Sequence, residues 1–218
     1  MRRPNFLRPS GNAAAGAPPA GQSAGGPAPA GGPADPAGGV ERERAESRRA
    51  LAREHGWTYT EQHQRAINGW PRTALPPGPL GRVRNEVTGR HRGRPFRMFD
   101  YVRGEESGDA PATTLVVYAI GLPVRVPYLY VQDRAGGARD LYAECPDRRF
   151  AVELLTDGVR EDMRRFAFTD LVLDGDVLIC TGDRGAPREG EPFLDALADV
   201  VAQVPADVWS RWGRPKTR

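Results

Sequence analysis

Residues 82–131 contain three apolar runs separated by turn-forming residues, and this pattern restricts the fold more than any other stretch of the chain. The run 83–88 alternates apolar and polar residues, as expected for a strand with one solvent-facing side. A short polar connection at 90–93, whose Gly93 can adopt positive φ, leads into a second run at 94–102. The third run, 113–122, is almost continuously apolar, which is typical of a central strand buried on both faces. Together they predict an antiparallel meander.

The segment before the meander predicts a boundary helix and a short strand. Residues 41–55 are rich in helix formers and are followed by Gly56, a typical residue beyond a helix C-terminus. Their apolar stripe is thin, so we expect a helix at the edge of the core. Residues 57–59 predict an extended segment, and residues 61–70 predict a further helical turn.

The segment after the meander predicts alternating short elements. We expect strands at 127–131 and 141–145, and helices at 148–155 and 158–166 with Asp147 and Asp157 as caps. An Asp174-Gly175 pair between two apolar runs predicts a hairpin with a type I′ turn. A long helix begins near Pro192 and ends at Pro205, after which Val208, Trp209 and Trp212 are expected to pack back on the sheet. The fold class predicted is α+β: an antiparallel meander sheet with flanking helices and a C-terminal helix packed on the sheet.

Composition divides the chain into three parts. Residues 1–40 are rich in Ala, Gly and Pro and have little to bury, which predicts a disordered tail. Residues 41–212 are predicted to form a single α+β domain, and residues 213–218 a short basic tail. The tails contribute +2 and +3 to the formal net charge of +3, which leaves −2 for residues 41–212. A folded part without a basic excess argues against nucleic-acid binding.

The usual catalytic and cofactor motifs are missing from the sequence. No Rossmann, P-loop, zinc-protease, nucleophile-elbow or EF-hand pattern is present, so the sequence suggests no cofactor and no metal site. Cys145 and Cys180 are too few for a disulfide framework and predict buried side chains, with one bridge between them left open. No run of about 18 apolar residues and no secretory signal is found, which predicts a cytoplasmic protein without a transmembrane segment, although weak peripheral membrane contact stays open.

Asp100 is the one candidate site residue. It lies between Phe99 and Tyr101 in an apolar strand, on the same face as Met98 and Val102, which predicts a half-buried carboxylate. A structural ion pair is the favoured interpretation, and the arginines close to it in the sequence pattern are Arg84, Arg97 and Arg103. The alternative is a catalytic acid with a perturbed pKa.

The three histidines give no catalytic or metal-binding pattern. His55, His63 and His91 have no cysteine or carboxylate at ligand spacing, so surface positions are predicted for all three.

Several short motifs are similar to those of a family of uncharacterised actinobacterial proteins. The resemblance rests on residues 56–59, on 85–89 with 93–101, on 147–151, and on 204–209. It spans roughly residues 45–209, implies one domain and transfers no active site. Many relatives in that family carry transmembrane helices before the domain, whereas this chain has an Ala/Gly/Pro-rich segment there.

Three functional hypotheses follow. The first is a non-catalytic α+β module that binds a protein partner or a small ligand. The second is a hydrolase- or transferase-like enzyme that uses Asp100 with an arginine, and the third is a peripheral domain associated with the cell envelope. The absence of a chemical motif favours the first.

Overall fold

The computed structural model has the predicted α+β architecture. It describes residues 36–63, 75, 81–103, 113–134, 139–182 and 190–216. The elements in chain order are α1 (Pro36–His55), β1 (Thr58–His63), β2 (Arg82–His91), β3 (Arg94–Arg103), β4 (Thr113–Asp133), β5 (Leu141–Glu144), α2 (Arg148–Leu154), α3 (Asp157–Phe166), β6 (Asp170–Gly182), α4 (Glu191–Gln203) and α5 (Ala206–Trp212).

Several boundaries differ from those expected. Helix α1 begins at Pro36, five residues before the predicted start at Glu41, and residues 1–35 of the predicted tail lie outside the described residues. The helical turn expected at 61–70 is wrong for residues 61–63, which belong to β1, and residues 64–70 lie outside the described part. In α3 the cap is Thr156, whose hydroxyl accepts a hydrogen bond from the Val159 N–H at 3.3 Å.

Strands β2, β3 and β4 form the predicted antiparallel meander, and β1 pairs antiparallel with β2 at its edge. His91 pairs with Arg94, so the β2–β3 loop has only two residues, Arg92 and Gly93, both with positive φ (47° and 75°). Two positive φ angles are characteristic of a type I′ turn, which follows the twist of the strands. A bulge in β2 between Arg84 and Val87 interrupts the pairing with β3, and at this bulge Asn85 has a φ of 51°. Asparagine is among the few non-glycine residues that adopt this region readily.

Strand β6 doubles back on itself. The carboxylate of Asp170 accepts hydrogen bonds from the Thr181 backbone N–H, at 3.1 Å, and from the Thr181 hydroxyl. An extended strand would place residues eleven positions apart at about 35 Å from each other. The midpoint between them falls at residues 175–176, and Gly175 has a φ of 61°. The predicted hairpin is therefore present within β6.

The hairpin turn differs from the predicted type. A type I′ turn centred on Asp174-Gly175 needs positive φ at both positions, but of these two only Gly175 has it. A glycine with positive φ as the first of two turn residues, followed here by Asp176, is the pattern of a type II′ turn.

Strand β4 encloses the β6 hairpin. Its first part, Val116–Gly121, pairs with Gly182–Val177, and its last part, Leu129–Gln132, pairs with Leu173–Asp170. The first part also pairs with β3 and the last part with β5, so β4 includes both the predicted central strand and the strand predicted at 127–131.

The two faces of the sheet carry separate apolar clusters. Helices α2 to α5 cover one face, where Tyr118 stacks on Phe193 of α4 with ring centroids 4.1 Å apart. The C-terminal helices therefore pack on the sheet as predicted. The opposite face holds a smaller cluster made of Leu75, Val83, Phe99, Tyr101, Val117, Ala119, Val172, Val177 and Ile179. Cys180 is buried, Cys145 is half-buried, and both are free thiols.

Candidate functional site

Asp100 lies on the helix-covered face of β3, where alternation with Met98 places it, but it is buried more deeply than predicted. Its exposed fraction is 1%, so it is fully enclosed rather than half-buried. A carboxylate at such a position needs opposite charge and hydrogen-bond donors, because burial without them is costly.

Helix α1 supplies the opposite charge. Its sheet-facing positions Arg44, Arg48 and Ala52 are spaced four residues apart and are 8%, 4% and 2% exposed. Arg48 Nη2 lies 3.1 Å and Arg44 Nη1 3.6 Å from the same oxygen, Asp100 Oδ1. An i, i+4 spacing places successive side chains on one face of a helix. The inner face of α1 is therefore charged over two turns and apolar only at its end.

The predicted arginine partners were the wrong ones. Arg84 lies opposite Asp100 in β2, but Arg97 points to the other face and pairs with the buried Glu86 there. Its guanidinium lies over the Phe99 ring, 5.3 Å from the centroid, and burial lowers the pKa of Arg97 to about 10. The arginines seen to pair with Asp100 come from α1, about fifty residues earlier in the sequence.

Asn85 connects Asp100 to β1 and α1 through hydrogen bonds. Its Nδ2 donates to Asp100 Oδ2 at 2.9 Å, and its Oδ1 accepts from the Tyr59 hydroxyl at 3.0 Å. Its backbone carbonyl accepts from Arg48 Nη1 at 2.9 Å. Burial raises the pKa of Tyr59, which keeps this hydroxyl a donor. The bulge that gives Asn85 its left-handed backbone thus joins four elements, α1, β1, β2 and β3, in one network.

The network is arranged to hold α1 on the sheet. Asp100 Oδ1 and Arg48 Nη2 are 3.1 Å apart but make no hydrogen bond with each other, so their contact is mainly ionic. No side of the carboxylate opens to solvent, because α1 covers it. A catalytic acid must reach its substrate directly or through water, whereas this carboxylate is enclosed beneath α1.

The prediction of a surface position is wrong for His91. Its side chain is 8% exposed, and its Nε2 lies 2.9 Å from Asp195 Oδ1 of α4. The adjacent Arg92 contacts Asp195 at 2.8 Å and Asp199 at 2.6 Å. These contacts fix the β2–β3 turn to α4. The long sequence separation between the partners is the reason that spacing alone could not reveal them.

His55 lies at the other end of the same contact region. Its Nε2 is 3.3 Å from Glu191 Oε2, and its ring stacks on Trp57 with centroids 4.4 Å apart. His63 is part of β1. Within the described ranges, no group of three His, Cys, Asp or Glu side chains is placed to hold a metal ion.

A partly exposed aromatic surface lies where β4 meets β5. Tyr128, Tyr130 and Tyr142 are half-buried there, with the Tyr130 and Tyr142 centroids 6.4 Å apart. The Arg134 guanidinium lies 4.0 Å from the Tyr142 centroid. Burial, with a smaller contribution from Glu144, raises the pKa of Tyr128, and burial also raises that of Tyr130. We call these three tyrosines and Arg134 the tyrosine face. The alternation of Tyr128 and Tyr130 was its only signal in the sequence.

An apolar cavity of about 10 Å³ lies between the helices and the sheet. Its lining is made of aliphatic residues and Trp209. This volume is about that of a single water-sized probe, and without polar partners such a space stays dry. The cavity is a packing defect rather than a ligand site.

Comparison with known proteins supports the fold. No family model matches the chain, and no curated protein matches it. Among solved structures, the crystal structure of the mycobacterial trehalose monomycolate transport factor A, TtfA, is similar, with a TM-score of 0.57 and 14% identity. The match covers 81% of this chain and 99% of TtfA. At this identity the similarity shows a shared fold, and its actinobacterial source agrees broadly with the resemblance noted in the sequence. In the part of the chain that the structure describes, no helix has the length and apolar character needed to cross a membrane.

Proposed function

We propose that this protein is a non-catalytic α+β module that binds a protein partner through the tyrosine face. The observation that carries the proposal is the grouping of three half-buried tyrosines and one arginine on the strand β5 side of the sheet. Tyrosine and arginine are enriched in the energetically important parts of protein interfaces, because they combine a large contact area with hydrogen-bonding groups.

The strand beside these tyrosines adds a second means of recognition. Among the described residues, β5 pairs with β4 alone, and Ala143 and Glu144 of β5 are exposed. A strand with one unpaired edge can accept an extended segment of another chain through backbone hydrogen bonds. The tyrosine side chains would then select which segment binds.

The enzymatic hypothesis receives less support. Asp100 is 1% exposed and lies under α1 with two arginines against it. Its position is accounted for by a structural role, and an Asp100-based reaction would require α1 to leave the sheet. The apolar cavity is likewise too small for a small-molecule ligand at about 10 Å³.

The fold suggests a setting for this binding role. A transport factor for trehalose monomycolate has the same overall architecture. We propose that this protein acts at the cell envelope by holding a partner rather than by performing chemistry.

Photo-crosslinking from within the tyrosine face tests this function. A photoreactive phenylalanine analogue replaces Tyr142 in the full-length protein, in cells that produce it naturally. Matched control positions are Ser47 on α1 and Val152 on α2, both exposed. We expect one discrete adduct from position 142, lost when Tyr130→Ala and Arg134→Ala are added, and no such adduct from the controls. Equal labelling from all three positions, or none from position 142, would contradict the proposal.

A further inference from the structure

Three turns and the C-terminal segment meet at one end of the sheet. The β2–β3 turn, the bend of β4 between Gly121 and Val126, and the β6 turn all lie there, since Arg94 Nη1 donates to the Gly121 carbonyl at 3.4 Å and Val126 pairs with Gly175. Backbone loops that converge in this way place the side chains on them close together.

The segment after α5 is fixed to the same end. Arg214 and Arg125 exchange two backbone hydrogen bonds, of 2.8 and 2.9 Å. Gly213 lies so close to Val124 that an added Cβ would clash with it. This places Arg214 and, two residues later, Lys216 beside the β4 bend.

Four positively charged residues belong to these segments: Arg90, Arg94, Arg214 and Lys216. Burial lowers the pKa of Lys216, and the charges of Arg94 and Arg90 lower it further, while only Asp176 opposes them. Burial also lowers the pKa of Arg94. Among the residues that the structure describes, none of the four cations forms an ion pair with a carboxylate.

The neighbouring Arg92, by contrast, is paired with carboxylates and has a structural role. Its guanidinium is held by Asp195 and Asp199 at 2.8 and 2.6 Å. Lys216 has two arginines and one acid, Asp176, within electrostatic range, so its surroundings carry excess positive charge that an anion would stabilise.

We propose that this end of the sheet is a binding site for a phosphate monoester dianion, with Arg90, Arg94, Arg214 and Lys216 as its ligands. Arginine presents a planar fork that matches phosphate oxygens, and lysine adds a compact point charge. The site is separate from the tyrosine face and does not depend on the function proposed for it. Phosphate could be offered by a soluble metabolite or by a lipid headgroup, and the chemistry of recognition is the same for both.

Lys216 provides a direct probe, because it is the only lysine in the chain. An amine-acylating reagent is applied at fixed pH to the full-length protein, and modification of Lys216 and of the N-terminal amine is followed by peptide mass spectrometry. By mass action, phosphate at about four times its Kd should slow Lys216 acylation about fivefold, compared with sodium chloride at equal ionic strength. The N-terminal amine should react at the same rate in both.

Variants separate a built site from general charge screening. Arg94→Gln and Arg90→Gln should each reduce the protection of Lys216. Arg164→Gln, which removes an exposed arginine paired with Glu161 on α3, should leave the protection unchanged. Two variants are used in case one of them misfolds. Arg94 is half-buried, whereas Arg90 is exposed and its substitution should disturb the fold less.

The source of the phosphate is resolved by two further arms. Glycerol 3-phosphate serves as the soluble monoester, and phosphatidylcholine vesicles with and without phosphatidic acid serve as the membrane. Protection by glycerol 3-phosphate alone would support the site with a soluble ligand, whereas Arg94-dependent sedimentation with phosphatidic acid vesicles would support it with a headgroup. Protection no stronger than that by chloride, with no such sedimentation, would overturn the proposal. Protection unchanged in both arginine variants would overturn it as well.

Discussion

At the scale of the residue, Asp100 shows how a single buried charge organises its surroundings. Removing the charge with Asp100→Asn takes away the carboxylate that lies against both Arg44 and Arg48 under α1. Breaking one partner out of a buried ion cluster typically costs about 3–5 kcal/mol, so we expect a clear loss in the free energy of unfolding measured in urea. The control, Asp207→Asn, breaks an exposed pair with Arg211 and should have a much smaller effect. A midpoint that does not fall would return weight to the hypothesis of a catalytic acid, since functional sites often hold strain.

Asn85 combines a strained backbone with three hydrogen bonds, and two substitutions separate these contributions. Asn85→Ala loses the side-chain bonds and keeps a Cβ at a φ of 51°, whereas Asn85→Gly loses the same bonds without the strain. We expect both variants to be less stable than the wild type, with alanine the worse by about 1 kcal/mol. Equal stability of the two variants in urea unfolding would show that the bulge relaxes when the network is lost.

The residues of the Asp100 network were only partly predictable. The alternation of residues around Asp100 predicted the strand and the sheet face on which Asp100 lies, and that its carboxylate pairs with an arginine. The identity of the arginines did not, because a search for apolar periodicity treats Arg44 and Arg48 as the solvent side of α1, whereas they form its inner side. His91 was misplaced for a similar reason, since Asp195 is 104 residues away and no local pattern links them.

At the scale of the element, Gly175 isolates the cost of a turn. A Cβ added there would meet nothing within 4 Å, so any destabilisation must come from the backbone and not from a clash. With a φ of 61°, Gly175→Val should cost about 1–2 kcal/mol. Gly39 of α1 is the matched control, because an added Cβ also meets open space there. Because Gly39 lies in the first turn of α1, Gly39→Ala should stabilise by no more than about 0.5–1 kcal/mol, which is a change of the opposite sign. An unmoved denaturation midpoint for Gly175→Val would show that the turn adapts.

The packing of α3 on α4 is predicted to be pH-dependent. Asp162 is 5% exposed, its Oδ2 has no hydrogen-bond partner, and burial together with the charge of Asp199 raises its pKa. A carboxyl whose pKa is raised on folding favours the protonated protein. Its stabilising contribution is therefore present at pH values below its ordinary pKa, near 3.8, and is lost as the pH rises through the folded-state pKa.

Asp162→Asn removes this dependence. Relative to the wild type, the variant should gain stability progressively as the pH rises above about 4, until the folded-state pKa of Asp162 is passed, as measured by urea unfolding over a series of pH values. Glu161→Gln on the same helix gives the opposite expectation, because Arg164 holds the pKa of Glu161 below its usual value. A constant difference between Asp162→Asn and the wild type at all pH values would contradict the prediction.

The elements themselves were largely predictable, and the exceptions have physical causes. Short connections and alternating patterns gave the β2–β3–β4 meander, and Asp147 capped α2 as expected. The way in which β4 surrounds the β6 hairpin could not be predicted, because it depends on pairing between residues 38 to 66 positions apart. The Asp174-Gly175 pair predicted that a hairpin turn lies near Gly175. It did not predict the type of turn, since glycine is compatible with both type I′ and type II′ turns.

At the scale of the whole molecule, charge is sorted into three places with different roles. Buried charges hold α1 to the sheet, and paired surface charges hold the β2–β3 turn to α4. Arg90, Arg94 and Lys216, which form no ion pair within the described part of the chain, lie at one end of the sheet. The average composition of residues 41–212, with a net charge of −2, conceals this sorting. We propose that residues 41–212 act as one folding unit, with α1 as an essential part of it despite its weakly apolar sequence.

Two truncations test whether α1 belongs to the folding unit. Removing residues 1–35 takes away a segment whose composition offers little to bury, so the melting temperature should stay within about one degree of that of the full chain. Removing residues 1–55 also takes away Arg44, Arg48 and the helix that covers Asp100, which opens the sheet face beneath α1 to water. We expect this shorter protein to lose cooperative unfolding or to aggregate, because the apolar residues packed under α1 lose their cover. If it melts cooperatively near the temperature of the full chain, α1 is dispensable and the buried network does not hold the fold together.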